Sequence, residues 1–416
     1  MSFALRFASY RPPIQIPLNI DSYDYRAICL FFACLLYGLF GSPTPEHLSI
    51  VEISVGALLC LSVGIGRARD VLFQRSHRRF WKSAGQVFLL YGLTIPCLIG
   101  VFSGHDVREV VRDIMPFLFL FMPLFLLPLM RARPYYFRST LFVILMIGML
   151  FSFRSILMHN VMGCHIWCTD DRLYLENMPT VLFTALFLIG TGLAVMMRGL
   201  TLKNTAVFCA LLMFALVPIA AMVITVQRAS LGAVALYVLL IQGFFIYKMP
   251  VRGTNALFML VIVAAILNLS FAAIFMALWD KTQSVGLNMR PQEFEAVWSV
   301  MTYDPMTFLF GIGWGGHFNS PAVGGLNVNF THNFFSSIFL KTGLIGVILC
   351  ISYIAGLLER LSRVIIKNPV IGLALAAPIL IDLTLYASFK SLDFGLVLLM
   401  ISSSLVYSRQ SESVQT

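Results

Sequence analysis

The residues best suited to chemistry lie around His332, in the stretch Thr331-His332-Asn333 that precedes a long apolar segment. Thr331 is predicted to be the N-cap of a helix, with His332 as the first helical residue. A positive helix end disfavours protonation of an imidazole, and a general base must be neutral to accept a proton. The same helix end offers free N–H groups to an anion. A surface histidine that merely precedes a helix is the alternative.

Three arginines are candidates for binding an anion. Arg228 lies in a short turn between two apolar segments, and Arg290 lies early in a long polar stretch. Arg172 follows Asp170 and Asp171, which offer an ordinary ion-pair explanation for it. A guanidinium keeps its proton and presents a fork of donors, which suits a phosphate group. Arg228 and Arg290 are therefore predicted to stabilise negative charge on a leaving group.

The long polar stretch indicates neither a metal nor a nucleotide. Hard divalent cations need clustered oxygen ligands, whereas the carboxylates here are scattered with no Asp-x-Asp: Asp280, Glu293, Glu295 and Asp304. The segment Gly311-Ile312-Gly313-Trp314-Gly315-Gly316 suits close backbone approach. It lacks the strand and helix that flank a nucleotide-binding glycine motif. We expect no metal and no cofactor.

The elements that must position these residues are membrane helices. The chain has 416 residues, of which 59% are hydrophobic and 12% charged, and its mean hydropathy is +0.87. This composition excludes a soluble globular domain and predicts an all-α polytopic membrane protein. Twelve spans are predicted, at about 26–42, 49–66, 84–102, 112–130, 138–158, 179–197, 204–225, 229–247, 255–278, 333–357, 370–389 and 391–407.

The charge pattern orients these spans. Most of the 29 Lys and Arg residues fall in alternate loops, which places those loops and both termini in the cytoplasm. The basic residues behind the net charge of +10 are concentrated in the cytoplasmic loops, as membrane orientation requires, so nucleic acid is not an expected partner. The chain divides into spans one to nine (1–278), a long outer loop (279–331), and spans ten to twelve with a cytoplasmic tail (332–416). Lys341, predicted to face away from His332, is expected to pair with Asp382.

The order of the motifs resembles the O-antigen ligase and polymerase superfamily. The matching features are Thr225–Ser230 in an outer turn, Arg290 early in the loop, Pro305 followed by Gly311-x-Gly313, and His332-Asn333 before Gly343-x-x-Gly346. They cover about residues 160–350, and the predicted topology matches over the whole chain. Lys341 and Gln227 depart from the family, which often has Glu and Ser there. Neither departure removes a residue with a predicted catalytic role.

The resemblance implies a metal-independent, inverting glycosyltransferase with a GT-C-like architecture in the bacterial inner membrane. The donor would be a glycan on undecaprenyl diphosphate, and the acceptor a sugar hydroxyl at the periplasmic face. His332, Arg228 and Arg290 would be catalytic. Arg172, Asn333, Gly313 and Trp314 would contact the substrate.

Ligase and polymerase remain alternatives. A ligase would use lipid A-core as acceptor, and a polymerase another lipid-linked repeat unit. Polymerases of this kind often repeat an Arg-x(10)-Gly motif. At the positions where this motif would place Gly after Arg172 and Arg290, the chain has Phe183 and Met301, which slightly favours a ligase. A polysaccharide or lipid transporter is the remaining alternative, although two related halves are not evident. Cys164 and Cys168 share one outer loop, where a disulfide is favoured over a metal site.

Overall fold

The computed structural model describes residues 21–42, 49–73, 79–160, 175–266, 271–285 and 289–413. Arg172, Cys164 and Cys168 lie outside these residues. The described helices are α1 Ser22–Phe40, α2 Ile50–Val63, α3 Ile65–Phe73, α4 Phe80–Phe102, α5 Val107–Phe119, α6 Met122–Ala132, α7 Pro134–Asn160, α8 Pro179–Met196, α9 Leu202–Ile224, α10 Arg228–Lys248, α11 Pro250–Ile266, α12 Phe271–Val285, α13 Arg290–Met301, α14 Pro305–Phe310, α15 Phe334–Lys367, α16 Pro369–Thr384 and α17 Leu392–Ser413. One small antiparallel hairpin joins β1 Phe318–Ser320 to β2 Leu326–Val328.

The predicted all-α, multi-pass membrane architecture is confirmed. Among the described residues, seven helices are long and apolar enough to cross a membrane, or nine if each of two bent helix pairs forms one span. Helices α11, α16 and most of α17 are apolar but shorter. Many large apolar side chains are exposed on these helices, including Leu239, Phe258 and Ile348, which is expected of surfaces that face lipid. All twelve predicted segments overlap a helix, but twelve complete spans stay a prediction.

Helix α8 is the centre of the bundle. A helix that is apolar on every side has to be buried on every side, and 94% of this span is buried within the protein. It packs against α7, α9, α10 and α16. Its Thr180 hydroxyl donates to the buried Asp393 carboxylate at 2.9 Å. The long helix α15 packs between α4 and α16, and its residues Phe339 and Leu340 pack against Phe318 of the hairpin.

The glycine-rich segment is packed into a break in α15. Gly343 has φ +66°, which interrupts the helix. The N–H of Ile312 donates to the Leu340 carbonyl at 2.9 Å, and the N–H of Gly313 to the Lys341 carbonyl at 3.2 Å. A Cβ on Gly343 would lie 2.3 Å from the carbonyl oxygen of Leu309. The glycines therefore allow two backbones to meet, and the segment satisfies carbonyls that the break leaves without a helical partner.

The predicted partner of Lys341 is wrong. Its ammonium lies 2.6 Å from an oxygen of Asp113 in α5 and also donates to the Gly316 carbonyl at 2.6 Å. The same oxygen of Asp113 accepts from the Gly315 N–H at 2.8 Å. A pair with Asp382 follows from similar depth in the membrane, whereas the structure pairs Lys341 with Asp113, which also binds the glycine-rich segment. This buried ion pair joins α5 to α15 and attaches the glycine-rich segment to both helices.

Candidate functional site

His332 is held by a buried carboxylate. The backbone N–H of His332 donates to one oxygen of Glu293 at 2.9 Å, and its ring Nδ1 lies 3.0 Å from the other. Ser320 Oγ donates to Glu293 as well, at 2.7 Å. A carboxylate only accepts, so Nδ1 carries the hydrogen in this pair and the lone pair of the neutral ring is on Nε2. The imidazole is therefore fixed in the tautomer that a general base requires.

The predicted helix start at His332 is wrong by two residues. Helix α15 begins at Phe334, and its N-cap is Asn333, whose side-chain oxygen accepts from the N–H groups of Phe335 and Ser336 at 2.9 and 3.2 Å. Thr331 donates its hydroxyl to the Asn333 carbonyl instead. Asn caps a helix better than a Thr placed too early, because its amide oxygen reaches the first free N–H groups. The contacts that hold His332 are therefore those with Glu293, and the helix begins two residues later.

Glu293 owes its position to the short helix α13. Glu293, Val297 and Met301 recur at helical spacing, and all three are buried. Val297 and Met301 pack with Phe318 and Leu340 in a small separate core beneath the outer loop. Burial alone would raise the pKa of Glu293. Hydrogen bonds from the His332 ring, the His332 backbone and Ser320 outweigh it and lower this pKa below its usual value, so the carboxylate is ionised at neutral pH.

Arg290 begins the same helix, one turn before Glu293. Its side chain is half-buried, and its Nε is buried without a hydrogen-bond acceptor among the residues that the structure describes. Burial lowers the pKa of Arg290, and the positive charge of Arg228 acts in the same direction, so the two charges lie close enough to influence each other. A buried donor without a partner is costly unless a ligand supplies the acceptor. Both predicted catalytic arginines therefore belong to one cluster.

Arg228 is presented by a tight turn that Lys281 supports. The turn ends helix α9 and leads into α10, with Val226 at φ +54°, a conformation that a β-branched residue rarely adopts. The Lys281 ammonium donates to the carbonyls of Thr225 and Val226, at 2.6 and 3.0 Å. Lys281 in α12 thus fixes the backbone immediately before Arg228 and adds a third positive charge to the cluster.

The segment between α16 and α17 encloses the cluster. The Tyr386 hydroxyl donates to the side-chain oxygen of Gln227 at 3.0 Å. Burial raises the pKa of Tyr386, and the nearby Arg290 and Arg228 partly offset this. The Asn333 amide donates to the Thr384 carbonyl at 3.0 Å. The end of α16 therefore contacts the start of α15, and the segment that follows it contacts the arginine turn.

Two predicted substrate contacts lie elsewhere. Trp314 is buried, its indole N–H donates to the Gly92 carbonyl at 2.7 Å, and its backbone N–H to the Pro96 carbonyl at 3.0 Å. Gly313 has φ +80°, and a Cβ there would lie 2.5 Å from the backbone nitrogen of Gly100. Both residues attach the glycine-rich segment to α4. The structure does not bring them together with His332 and the arginines.

Sequence reasoning missed the partners of the predicted residues. Glu293 was predicted neither as a metal ligand nor as the partner of His332, and no role in the site was predicted for Lys281 or Tyr386. Glu293 lies 39 positions before His332, and Tyr386 lies 159 positions after Gln227. One local signal existed, because Glu293 shares a helical stripe with the apolar Val297 and a buried charge requires a partner.

Within the described ranges, no group of three or more His, Cys, Asp or Glu side chains could hold a metal ion. Comparison with protein-family models, curated proteins and solved structures found no match to this chain. The fold and the site define a multi-pass, all-α membrane protein. It carries a carboxylate-bound histidine beside a half-buried cluster of cations.

Proposed function

We propose that this protein is a membrane glycosyltransferase that moves a glycan from undecaprenyl diphosphate to a sugar hydroxyl. In this proposal the chain crosses the bacterial inner membrane twelve times, both termini are cytoplasmic, and the site faces the periplasm. The observation that carries the proposal is that Glu293 fixes His332 and lies one helical turn after Arg290. A base for the acceptor and a cation for the leaving group are the two requirements of this transfer.

The proposed reaction uses these groups in one displacement. Nε2 of His332 removes the proton of the acceptor hydroxyl as its oxygen bonds to the anomeric carbon. The bond from that carbon to the diphosphate oxygen breaks, and its electron pair leaves with the diphosphate. Arg228 and Arg290 stabilise the added negative charge. Attack opposite the leaving group inverts the anomeric configuration.

The expected rate contributions are consistent with these separate roles of His332 and the arginines. A positioned general base contributes about 10²–10⁴-fold in rate. A preorganised donor aimed at developing charge contributes about 3 kcal/mol. The unpartnered Nε of Arg290 is such a donor. The ionised Glu293 stabilises the imidazolium that forms when His332 accepts the proton.

Ligase activity, with lipid A-core as acceptor, is the preferred form of the proposal. The alternative is a polymerase that joins lipid-linked repeat units. Met301, where a polymerase would often have Gly, is buried in the core beneath the outer loop, so a Gly there would leave a cavity. The two reactions are distinguished by which acceptor receives the glycan, lipid A-core or a second lipid-linked repeat unit.

Transfer of labelled glycan by the purified protein in detergent tests the proposal. Detergent micelles have no second compartment, so an enzyme forms product there and a transporter does not. Lipid-linked donor is supplied with either lipid A-core or a second lipid-linked repeat, and the product is analysed for a new, inverted glycosidic bond. No product with either acceptor would contradict the proposal.

A further inference from the structure

Lys390 is a second positive centre beside His332. It ends the short 3-10 turn Ala387–Lys390 in the segment between α16 and α17. Its ammonium lies 5.6 Å from the centre of the Phe330 ring. Phe330 in turn meets the His332 ring edge-on, with ring centres 5.7 Å apart. Lys390 and His332 therefore contact the same aromatic ring.

The acidic groups near Lys390 are committed to other partners. Asp113 binds the Lys341 ammonium and the Gly315 N–H. Glu109 accepts from the Asn329 amide and pairs with Arg112 at 3.5 Å. No oxygen atom of the described ranges accepts a hydrogen bond from the Lys390 ammonium. Within these ranges the direct contact of this ammonium is the face of the Phe330 ring, which is a weak partner.

The environment of Lys390 favours an anionic ligand. Removal from water lowers the pKa of Lys390 to about 8; Asp113 partly offsets this, and Lys341 and Arg112 add to it. At neutral pH the side chain is still mainly a cation. A partly buried cation that lacks an accepting oxygen gains more from a bound anion than an exposed one does.

This centre is distinct from the arginine cluster. Arg290 begins α13 one turn before Glu293, whereas the Lys390 ammonium lies against the ring of Phe330. His332 contacts the first group through Glu293 and the second through Phe330. A donor diphosphate must lie at the arginines, next to the bond that breaks, so the second centre is available to the acceptor.

We propose that Lys390 binds an anionic group, a phosphate or a carboxylate, on the glycan acceptor and so aligns the acceptor hydroxyl with His332. This inference rests on the proposed function, because it assumes that a glycan acceptor reaches Nε2 of His332. The ligand is an acidic substituent close to the accepting sugar. Lys390 is a substrate-binding residue and takes no proton in the reaction.

Kinetics with three forms of one acceptor test this assignment. The probes are lipid A-core, the same material after enzymatic removal of phosphate, and the same material after chemical reduction of carboxylates. Lys390→Met is expected to raise the acceptor KM about 10- to 100-fold, the range for a lost charge-assisted hydrogen bond. The donor KM should not change. Lys390→Arg, which keeps the charge, should stay near native.

The modified acceptors identify the anion. With the native protein, the acceptor that has lost the recognised group should show the raised KM. For that modified acceptor, Lys390→Met should not raise the KM any further. Because this comparison uses the native chain, it holds even if Lys390→Met does not fold. An unchanged acceptor KM for both modified forms, or a change in the donor KM alone, would overturn the inference while transfer itself continues. Absence of any transfer by the native protein would contradict the proposed function instead, and direct binding of the three acceptors would still test Lys390.

Discussion

The ion pair between Lys341 and Asp113 gives a quantitative test of how the outer loop is attached. The two charged atoms are 2.6 Å apart, and the side chains are only 2% and 5% exposed. Lys341→Met leaves Asp113 buried with the Gly315 N–H as its remaining hydrogen-bond donor. Removing one partner of such a pair costs about 3–5 kcal/mol. We expect the single variant to lose that much free energy of unfolding.

The double variant Lys341→Met/Asp113→Leu should lose clearly less than the two single variants together. It removes both charges but leaves the Gly315 N–H and the Gly316 carbonyl without their side-chain partners, at about 1–3 kcal/mol each. If each single variant loses about 3–4 kcal/mol and the double variant about 4 kcal/mol, the coupling energy is about 2–4 kcal/mol. The measurement is unfolding of the purified protein in mixed detergent micelles, followed by tryptophan fluorescence.

A matched control replaces the other buried acid. Lys341→Met combined with Asp382→Leu should show additive losses within about 0.5 kcal/mol, as expected for residues that do not interact. Additive losses with Asp113, together with recovery in the Asp382 double variant, would refute the arrangement of α5, α15 and the glycine-rich segment described here.

Other predictions address the site and its orientation. Arg228→Lys and Arg290→Lys keep the charge but lose the two-donor fork, so each should reduce the transfer rate by about 10²-fold at a normal protein level; full activity in either variant would exclude that arginine from charge stabilisation. Glu293 has a lowered pKa in the folded state, so its stabilisation is complete above its ordinary value of 4.5 and declines as pH falls through the lower folded value. The melting temperature should therefore fall in Glu293→Gln at pH 7 and differ less from native at pH 3.5, whereas a gap that widens in acid would contradict this sign. A reporter active only outside the cytoplasm should work when fused at Ser320 and fail at Gly199, and the opposite pattern would place His332 on the wrong side.

The sequence was sufficient for the helices but not for their contacts. Apolar segments of span length predict helices because lipid leaves the backbone no other way to satisfy its N–H and C=O groups. The central position of α8 follows from the absence of a polar side. Breaks within helices are harder to predict from the sequence. Gly343 becomes a break only when the Gly311–Gly313 backbone packs against it.

The sequence indicated the charged residues of the candidate site but not the residues that contact them. Each predicted group carries a visible chemical signal, such as an arginine in a turn between two spans. Glu293, Lys281 and Lys390 are ordinary loop charges in the sequence. They gain importance only from contacts across long separations, which topology sets and local patterns do not. The same limitation explains the wrong partner for Lys341.

The rate of glycan transfer by His332→Ala tests the central proposal most directly. The purified variant is mixed with labelled lipid-linked donor and lipid A-core, and the single-turnover rate and donor affinity are measured beside the native protein. His317→Ala, which replaces an exposed histidine of the same loop, is the matched control. We expect His332→Ala to lose about 10²-fold or more in rate with unchanged donor affinity, and His317→Ala to behave as native. Retention of more than about a tenth of the native rate by His332→Ala would exclude a general base of that size and contradict the proposed role of His332.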